Sequence, residues 1–204
     1  MKNHITTECR ICKNTKLIPF VELGNQPLSG VFPQKDAPDP SVSPLELIKC
    51  DNSSKVDACG LVQLKQNADL EEMYGSTYGY YSSISPSMVS HLVAKVDGLI
   101  DFVKPKQGEI VLDIGCNDGT TLNNFGKTGM TRVGIDPSSE KFRDHFDEDI
   151  EVKYDFFSEE TVREIISDGE CKIITSIAMF YDIDEPLTFM NEIRSLLAKD
   201  GVWA

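Results

Sequence analysis

Residues 110–119 read Ile-Val-Leu-Asp-Ile-Gly-Cys-Asn-Asp-Gly, and they are the most informative part of the chain. Its first five residues are mostly apolar, as in an inner strand of a parallel sheet, which is buried on both faces. Gly115 and Gly119 then allow the backbone to turn sharply and to approach a ligand closely. A helix after the turn would point free N–H groups at that ligand. The stretch therefore predicts a strand, a turn and a helix that form a nucleotide-type cofactor site.

A second short apolar segment, Val133-Gly134-Ile135, ends in Asp136, which follows Gly115 by 21 residues. A carboxylate at this place can accept hydrogen bonds from both hydroxyls of a ribose. Asp136 and the glycine turn together indicate a cofactor more strongly than either glycine alone. The alternative is an ordinary tight turn of an α/β protein that binds no cofactor.

The spacing of the turn favours one class of cofactor. Dinucleotide enzymes usually carry G-x-G-x-x-G, whereas Asn117 stands between the two glycines here, and acidic Asp113 and Asp118 flank the turn. Two carboxylates there would repel a pyrophosphate. They would tolerate S-adenosylmethionine, which carries a sulfonium and an ammonium group. We therefore expect S-adenosylmethionine in preference to NAD, bound by Asp113, Gly115, Cys116, Asn117, Gly119 and Asp136.

Length and composition set the outer limits. The chain has 204 residues, of which 40% are hydrophobic and 8% aromatic, enough for one main domain and a small accessory one. It contains no apolar run of about 18 residues and no apolar signal-peptide core after Met1. We expect a soluble cytoplasmic protein that does not bind membranes.

The net charge of −13 is concentrated after residue 60, where 26 acidic residues stand against 13 basic ones. Such a segment should repel nucleic acid and anionic membranes. Solubility alone can also explain the acidity. The charge therefore argues against nucleic acid as a partner and leaves a small molecule as the substrate.

Four of the six cysteines lie in the first 60 residues: Cys9, Cys12, Cys50 and Cys59. Without a secretion signal, this clustering favours a metal over disulfides. A zinc ion held by four thiolates would stabilise a segment with little core, since residues 24–44 are rich in Gly, Pro, Ser and Asp. The eight residues at 51–58 are too many for a simple knuckle, so unliganded thiols or a partial site are the alternative. We expect Cys116 and Cys171 to pack without a metal role.

The middle of the chain joins an unusual linker to a helix. Residues 74–85 hold four tyrosines and several serines, a composition suited either to a recognition surface or to a loop held by its rings. From Pro86 the pattern becomes helical. His91 lies beside the apolar stripe of this helix, where we expect a boundary or packing residue and not a catalyst. The stripe consists of Met88, Leu92, Val96, Leu99 and Val103.

After residue 109, predicted strands and helices alternate, which is typical of a parallel sheet covered on both faces. The carboxyl ends of its strands would lie along one edge, where ligands of such sheets bind. Asp155 and Phe156 follow the third strand, suited to an adenine amino group and its ring, and Met179 follows the fourth. We expect strands at 110–114, 131–135, 150–154, 172–178 and from 201, and helices from 118, after Pro137, from Ser158 and over 186–198.

Four blocks follow one another in the sequence: Cys9-Arg10-x-Cys12 with Leu23-Gly24-x-Gln26-Pro27-Leu28, then Cys50 through Leu64, then Tyr78-x-Tyr80-x-Ser82-Ser83-x-Ser85-x-Ser87-Met88 with His91, and Ile114 through Gly119. In this order they resemble the S-adenosylmethionine-dependent sugar C-methyltransferases, which methylate nucleotide-linked keto-deoxysugars. The first two blocks are similar to the two ends of the family's zinc domain. The third is similar to its hinge motif and the fourth to its cofactor loop.

The resemblance implies a Rossmann-like class I methyltransferase sheet of about five strands after a small zinc-binding domain. We expect a zinc domain at 1–62, a hinge and substrate loop at 63–85, and a cofactor-binding domain at 86–204. The resemblance also implies that a proton is removed next to a ketone and that the resulting carbon attacks the sulfonium methyl group in line. By resemblance, Tyr78 and Tyr80 contribute hydroxyls to the sugar as donors or proton relays.

Two departures limit what the resemblance implies. The family tends to read Arg-Asn-x-Phe-x-His after the fourth strand, whereas residues 177–182 read Ile-Ala-Met-Phe-Tyr-Asp. We expect a different substrate or proton relay, with Asp182 either a base or, as we favour, a cap of the helix near Pro186. The chain also ends before the further domain that supplies the family's Glu-His pair, so we expect the N-terminal part of a longer enzyme or completion by a second chain. The sheet edge near Trp203 would then be exposed and prone to aggregation.

Three functions are compatible with the sequence. The first is C-methylation of a nucleotide sugar. The second is methylation of an oxygen, a nitrogen or another carbon of a small molecule. The third is a non-catalytic subunit that binds zinc and the cofactor.

Overall fold

The cysteine-rich segment precedes a larger α/β segment in the chain. The computed structural model describes residues 4–33, 35–53, 57–68, 70–75 and 77–204. Two compact units are present: Met1–Gly79 with Asp184–Leu187, and Tyr80–Ile183 with Thr188–Ala204. Each unit has its own sheet.

The first unit is built from short antiparallel pairings. Strands β2 (Leu17–Pro27), β3 (Val42–Cys50) and β4 (Val62–Leu64) form one sheet in that order, while β1 (His4–Ile5) pairs with β5 (Gln66–Asn67). A short helix α1 (Leu70–Tyr74) follows. Almost every residue of β2 is exposed. Among its described residues, the buried hydrophobic side chains of this unit are Cys9, Leu28, Ile48 and Cys50, so its core is small.

The second unit contains a five-stranded, fully parallel sheet with the order β10-β9-β6-β7-β8. From β6 the chain adds β7 and β8 on one side, and it then returns to add β9 and β10 on the other side of β6. This change of side creates a crevice at the carboxyl ends of β6 and β9. No helix in the described part of the chain has the length and apolar character needed to cross a membrane. The elements are α2 (Pro86–Val103), β6 (Ile110–Ile114), α3 (Thr120–Asn124), β7 (Thr131–Ile135), β8 (Ile150–Lys153), α4 (Glu159–Ile166), β9 (Cys171–Thr175), α5 (Pro186–Leu196) and β10 (Leu197–Trp203).

The core of this unit lies on both faces of the sheet. Successive side chains of a strand point to opposite faces, so Val111 and Leu112 belong to different clusters. Val111 packs with Val96 of α2 and with Leu122 and Phe125, which belong to α3 and its end. On the other face, Leu112 belongs to a cluster that includes side chains of α4 and α5.

The structure confirms the alternation of strands and helices and corrects several of its details. The segment after Pro137 is not an α-helix but a 3₁₀ segment, Ser139–His145. Strand β9 ends at Thr175, three residues earlier than expected, and β10 begins at Leu197 rather than at 201. As predicted, the last strand, β10, lies at one edge of the sheet and carries Trp203, although the Trp203 ring itself is half-buried against Phe180 and Phe189. His91 is exposed, as fits the boundary residue that was one of its two predicted roles.

Candidate cofactor and metal sites

The turn after β6 has an unusual backbone. Gly115, Asn117 and Gly119 have positive φ angles of 74°, 51° and 78°. Glycine adopts this conformation without strain, and asparagine tolerates it better than most residues. The Gly115 N–H donates to the Ile135 carbonyl at 2.8 Å, which fixes the start of the turn to the end of β7. The turn therefore lies at the carboxyl end of the central strand β6, beside the crevice between β6 and β9.

The two glycines of the turn differ in the space around them. A Cβ atom on Gly115 would lie 3.5 Å from Met179 Cγ, so Met179 borders the backbone of the turn. A Cβ atom on Gly119 would lie only 2.6 Å from the Phe146 ring, closer than real side chains approach. Any larger residue at position 119 would displace that ring. Sequence reasoning did not identify Phe146, since nothing in residues 139–146 indicates which ring faces the turn.

Asp136 lies directly beside the turn. Its Oδ2 accepts the Asn117 N–H at 2.9 Å and its Oδ1 accepts the Ser138 N–H at 2.6 Å. The side chain is 8% exposed. A carboxylate can accept about four hydrogen bonds, so these two backbone donors leave acceptor positions for a ligand. The structure thus brings Asp136 and the glycine turn together, as the spacing predicts.

Asp113 lies in β6, two residues before Gly115, and its side chain is buried. Its Oδ1 accepts the Thr175 hydroxyl at 2.6 Å. Burial raises the pKa of Asp113 to about 7, against the lowering effect of the Thr175 hydrogen bond, and the charge of Asp136 raises it further. Asp113 is therefore partly neutral near pH 7. Thr175 is a site residue that sequence reasoning missed, although its place at the end of β9, next to β6, was the available signal.

The side chain of Cys116 packs in the core. It is buried, lies 3.5 Å from the Ser139 hydroxyl, and has a pKa well above the ordinary value because of burial. A Cβ atom on Gly134 would lie 2.7 Å from its Sγ, so this cysteine packs directly on β7. Cys171 is also buried, and burial raises its pKa to about 12. Among the residues that the structure describes, neither thiol belongs to a metal-binding group.

The other expected site residues are spread more widely. Asp155 follows β8 and is exposed, with its Oδ1 accepting the Phe156 N–H at 2.7 Å, while Phe156 is half-buried. The Tyr80 side chain is 37% exposed, and its carbonyl accepts a hydrogen bond from Asn117. Tyr78 belongs to the first unit, where its ring contacts Tyr74 at 5.3 Å. The roles of these residues stay predictions.

Asp182 does not occupy the N-cap position that we favoured for it. It is the last residue of a 3₁₀ turn, Phe180–Asp182, and its N–H donates to the Met179 carbonyl at 3.0 Å. Helix α5 begins at Pro186, so its N-cap position is Glu185. The distance along the chain excludes Asp182 as the cap.

The four N-terminal cysteines converge in the first unit. Their sulfur atoms all lie within 4.8 Å of one another, with Cys9–Cys59 at 3.4 Å and Cys12–Cys50 at 3.5 Å. This is a complete set of four soft ligands for a tetrahedral zinc ion, with no open position for a substrate. The irregular spacer tolerates this geometry, although residues 54–56 of it lie outside the described residues.

Burial and neighbouring groups shift the pKa values of these thiols. Burial raises the pKa of Cys9 to about 12, whereas backbone hydrogen bonds from Cys59 and Asn14 lower that of Cys12 to about 6. The Asn14 amide also donates to Cys50 Sγ at 3.3 Å. A bound zinc ion deprotonates coordinating thiols and so overcomes the effect of burial on Cys9. Asn14 was missed by sequence reasoning, although it follows the Cys9–Cys12 pair by two residues.

Two family descriptions match the chain. Residues 9–74 match "Putative zinc binding domain" and residues 88–204 match "Methyltransferase domain". The four converging sulfur atoms, those of Cys9, Cys12, Cys50 and Cys59, all lie within the residues that the first description covers.

Two curated relatives are similar to the chain at about a quarter of aligned positions. The C-methyltransferase NovU of Streptomyces niveus is 26% identical over 199 residues, which are 96% of this chain and 46% of NovU. A ubiquinone biosynthesis O-methyltransferase of Actinobacillus pleuropneumoniae serotype 5b (strain L20) is 25% identical over 129 residues, 58% of this chain and 51% of that protein. The chain thus spans about half the length of the curated relatives it matches.

A SAM-dependent methyltransferase from Geobacter sulfurreducens, solved in complex with S-adenosyl-L-homocysteine, is 17% identical with a TM-score of 0.43. The similarity covers 63% of this chain and 50% of that one. The methyltransferase description itself covers more than half of the residues here. The chain therefore belongs to the methyltransferase family of enzymes, with a domain of the zinc-binding family at its N-terminal side.

Proposed function

We propose that the protein transfers a methyl group from S-adenosylmethionine to a carbon next to a ketone of a nucleotide-linked deoxysugar. The observation that carries this proposal is the extent of the similarity to a C-methyltransferase. It covers 96% of the chain and so includes the zinc-binding domain and the tyrosine-rich hinge, whereas the similarity to the O-methyltransferase covers 58%. The hinge motif and the zinc domain are also the blocks that resemble the sugar C-methyltransferases.

The geometry at the carboxyl ends of β6 and β7 supports S-adenosylmethionine as the methyl donor. The Gly115 backbone is open to close approach, and the acceptor positions that remain on Asp136 suit the two ribose hydroxyls. Asp113, partly neutral near pH 7, does not add a full negative charge to the site. We propose that Asp155 and Phe156 contact the adenine and that Met179 borders the cofactor at Gly115.

When bound, S-adenosylmethionine supplies an activated methyl group, so the protein mainly has to orient the acceptor and move one proton. Tyr78 and Tyr80 are proposed as hydroxyl donors or relays to the acceptor, following the hinge resemblance. A donor at the ketone oxygen stabilises the negative charge that develops when the neighbouring carbon loses its proton.

A second candidate is methylation of an oxygen, a nitrogen or another carbon of a different small molecule. It is supported by the similarity to the O-methyltransferase and by Ile177 and Ala178, which replace the polar pair of the sugar enzymes. Ala178 is exposed and has a positive φ of 58°, in a region that residues other than glycine rarely adopt.

The cofactor assignment can be tested by titrating S-adenosylhomocysteine into the purified protein in a calorimeter. We expect binding, and we expect Asp136→Asn to weaken it by about tenfold to a hundredfold, since hydrogen bonds to a charged group contribute about 1.5–3 kcal/mol. Asp168→Asn is the matched control, because Asp168 is an exposed carboxylate in the turn after α4. Equal affinity of all three proteins would exclude Asp136 as the ribose ligand.

The acceptor can be identified by assaying methyl transfer to a panel of keto-sugar nucleotides, with phenolic and amine acceptors in parallel. Methylation of a keto-sugar at carbon supports the first candidate, and methylation only of the other acceptors supports the second.

The same assay decides the role of Asp182. If Asp182→Asn leaves the pH profile of methyl transfer unchanged, Asp182 is not the base.

A further inference from the structure

The hinge segment Tyr80–Ser83 is held by side chains of the cofactor turn. The Asn117 amide donates to the Tyr80 carbonyl at 3.1 Å, and Asn117 Oδ1 accepts the Ser82 N–H at 2.9 Å. Next to it, Asp118 Oδ2 accepts the Ser83 N–H at 2.8 Å. Two consecutive residues of the turn therefore hold three backbone groups of the hinge, all within the second unit.

These three contacts are shorter than the hydrogen bonds within the segment's own turn. Its own 3₁₀ turn, Ser82–Ile84, is closed by bonds of 3.4 Å, from the Ile84 N–H to Tyr81 and from the Ser85 N–H to Ser82. Bonds of that length are near the limit at which a hydrogen bond still contributes. The local turn is thus weak by itself, and Asn117 and Asp118 supply the better partners for its amides.

Asn117 and Asp118 are themselves enclosed by the protein. Both are buried, at 8% and 2% exposure. Burial alone would raise the pKa of Asp118, but the hydrogen bonds from Ser83 and Thr120 outweigh it, so the pKa lies below its ordinary value and the side chain is a carboxylate. Charge-assisted hydrogen bonds of this kind are stronger than neutral ones.

The main chain of Asn117 connects the same contacts to the ribose-binding carboxylate that we propose. Its N–H donates to Asp136 Oδ2 at 2.9 Å, and its carbonyl accepts the Ser139 hydroxyl. One residue therefore contacts Asp136 through its backbone and the hinge through its side chain. A ligand that fixes Asp136 also fixes the position of Asn117.

From this geometry we propose that Asn117 and Asp118 are positioning residues, which dock the segment Tyr80–Ser83 onto the cofactor turn and couple its order to occupation of the site beside Asp136. The coupling rests on the proposed function, because it requires a ribose-bearing cofactor at Asp136. The docking does not rest on the proposed function, because its hydrogen bonds are formed within the chain and require no ligand. The hinge tyrosine Tyr80 is then presented to the acceptor in a fixed position only when the turn is intact.

The docking is tested by amide hydrogen exchange at Ser82 and Ser83 in the protein without added ligand. Asn117→Gly removes the side chain but keeps the positive φ that Asn117 needs. We expect exchange at Ser82 to accelerate by about tenfold, the effect of losing about 1.4 kcal/mol of local stability. Asp118→Asn keeps an oxygen acceptor and should preserve most of the protection at Ser83, whereas Asp118→Ala should remove it.

Lys104→Gly is the matched control. Lys104 also has a positive φ, of 50°, but it lies at the exposed end of α2, so this variant changes a left-handed residue to glycine without touching the hinge. Urea unfolding of each variant checks that the fold is intact. Unchanged exchange at Ser82 and Ser83 in Asn117→Gly and Asp118→Ala would overturn the docking.

The coupling is tested by repeating the exchange measurement with saturating S-adenosylhomocysteine. We expect the ligand to slow exchange at Ser82 and Ser83 in the wild-type protein but not in Asn117→Gly, which should also bind it more weakly. If the ligand binds both proteins equally and leaves these amides unchanged, the coupling is wrong while the proposed cofactor stands. If the wild-type protein does not bind the ligand, the proposed cofactor is wrong and the coupling with it, and the ligand-free exchange still decides the docking.

Discussion

At the scale of single residues, Asp113 links burial to a measurable effect of pH. Its pKa is raised to about 7 in the folded protein, mainly by burial, from an ordinary value of 3.8. The folded state therefore binds this proton more tightly than the unfolded chain does. Its contribution to stability is complete below pH 3.8 and is lost as the pH rises through about 7.

We therefore expect the free energy of unfolding of the wild-type protein, relative to Asp113→Asn, to fall between pH 4.5 and pH 7.5. Urea unfolding at a series of pH values measures this difference. Asp118→Asn gives the opposite trend, because the pKa of Asp118 is lowered, so the stability that its carboxylate contributes is lost on acidification. A wild-type to Asp113→Asn difference that does not vary with pH would show that Asp113 is ionised in the folded state throughout.

At the scale of elements, the turn between β6 and α3 depends on the packing of Gly119 as well as on its conformation. Gly119→Ala requires a non-glycine residue at φ 78° and places a Cβ atom 2.6 Å from Phe146. We expect it to destabilise the protein by about 1–2 kcal/mol for the backbone and by about 1–3 kcal/mol more for the clash. Gly108→Ala is the control, since Gly108 has φ 82° but nothing within 4 Å of its added Cβ. Equal destabilisation of the two variants in urea would show that the Phe146 ring moves freely.

The elements also show what the sequence could and could not predict. The bounds of β6 and β7 were predicted because each strand is an apolar run that ends at a glycine turn or an acidic residue. The 3₁₀ segment Ser139–His145 was predicted as a helix because residues after a strand and a proline usually form one. Its geometry depends on tertiary contacts, such as that of Phe142 with Tyr81, which no local pattern records.

The candidate site was predictable to a similar degree. Spacing alone placed Asp136 beside the glycine turn, because the carboxyl ends of neighbouring parallel strands meet. The partners of Asn117 and Asp118 were not predictable, since Tyr80–Ser83 lie 35 to 37 residues earlier in the chain. Asp182 was wrongly favoured as a cap, although the start of α5 at Pro186 was predicted correctly, because the N-cap position directly precedes the first helical residue and Asp182 lies four residues before it.

At the scale of the whole molecule, the zinc site should control the stability of the first unit and not that of the second. Removal of zinc by a chelator should unfold the first unit, because its core is small and the four thiolates lose the metal ion that they share. The sheet of the second unit has its own two clusters and should persist. Calorimetric melting should therefore lose one of two transitions when zinc is removed, and a single unchanged transition would contradict this independence.

Cysteine variants provide the control for that experiment. Cys12→Ser should reduce zinc content, measured by metal analysis, and remove the first transition. Cys171→Ala should leave one zinc ion per chain and instead lower the second transition, because Cys171 is buried in the larger core. Loss of zinc in Cys171→Ala would show that the two units do not fold separately.

The order of the zinc ligands also has a consequence for synthesis of the protein in the cell. Cys9 and its partner Cys59 are 50 residues apart, so the ion cannot be enclosed until nearly all of the first unit has left the ribosome. Protein domains generally fold in the order in which they are made. Metal supply should thus act as an early checkpoint on nascent chains, before the glycine turn that follows Ile114 has been translated, and zinc-starved cells should degrade this protein while its messenger RNA is unchanged.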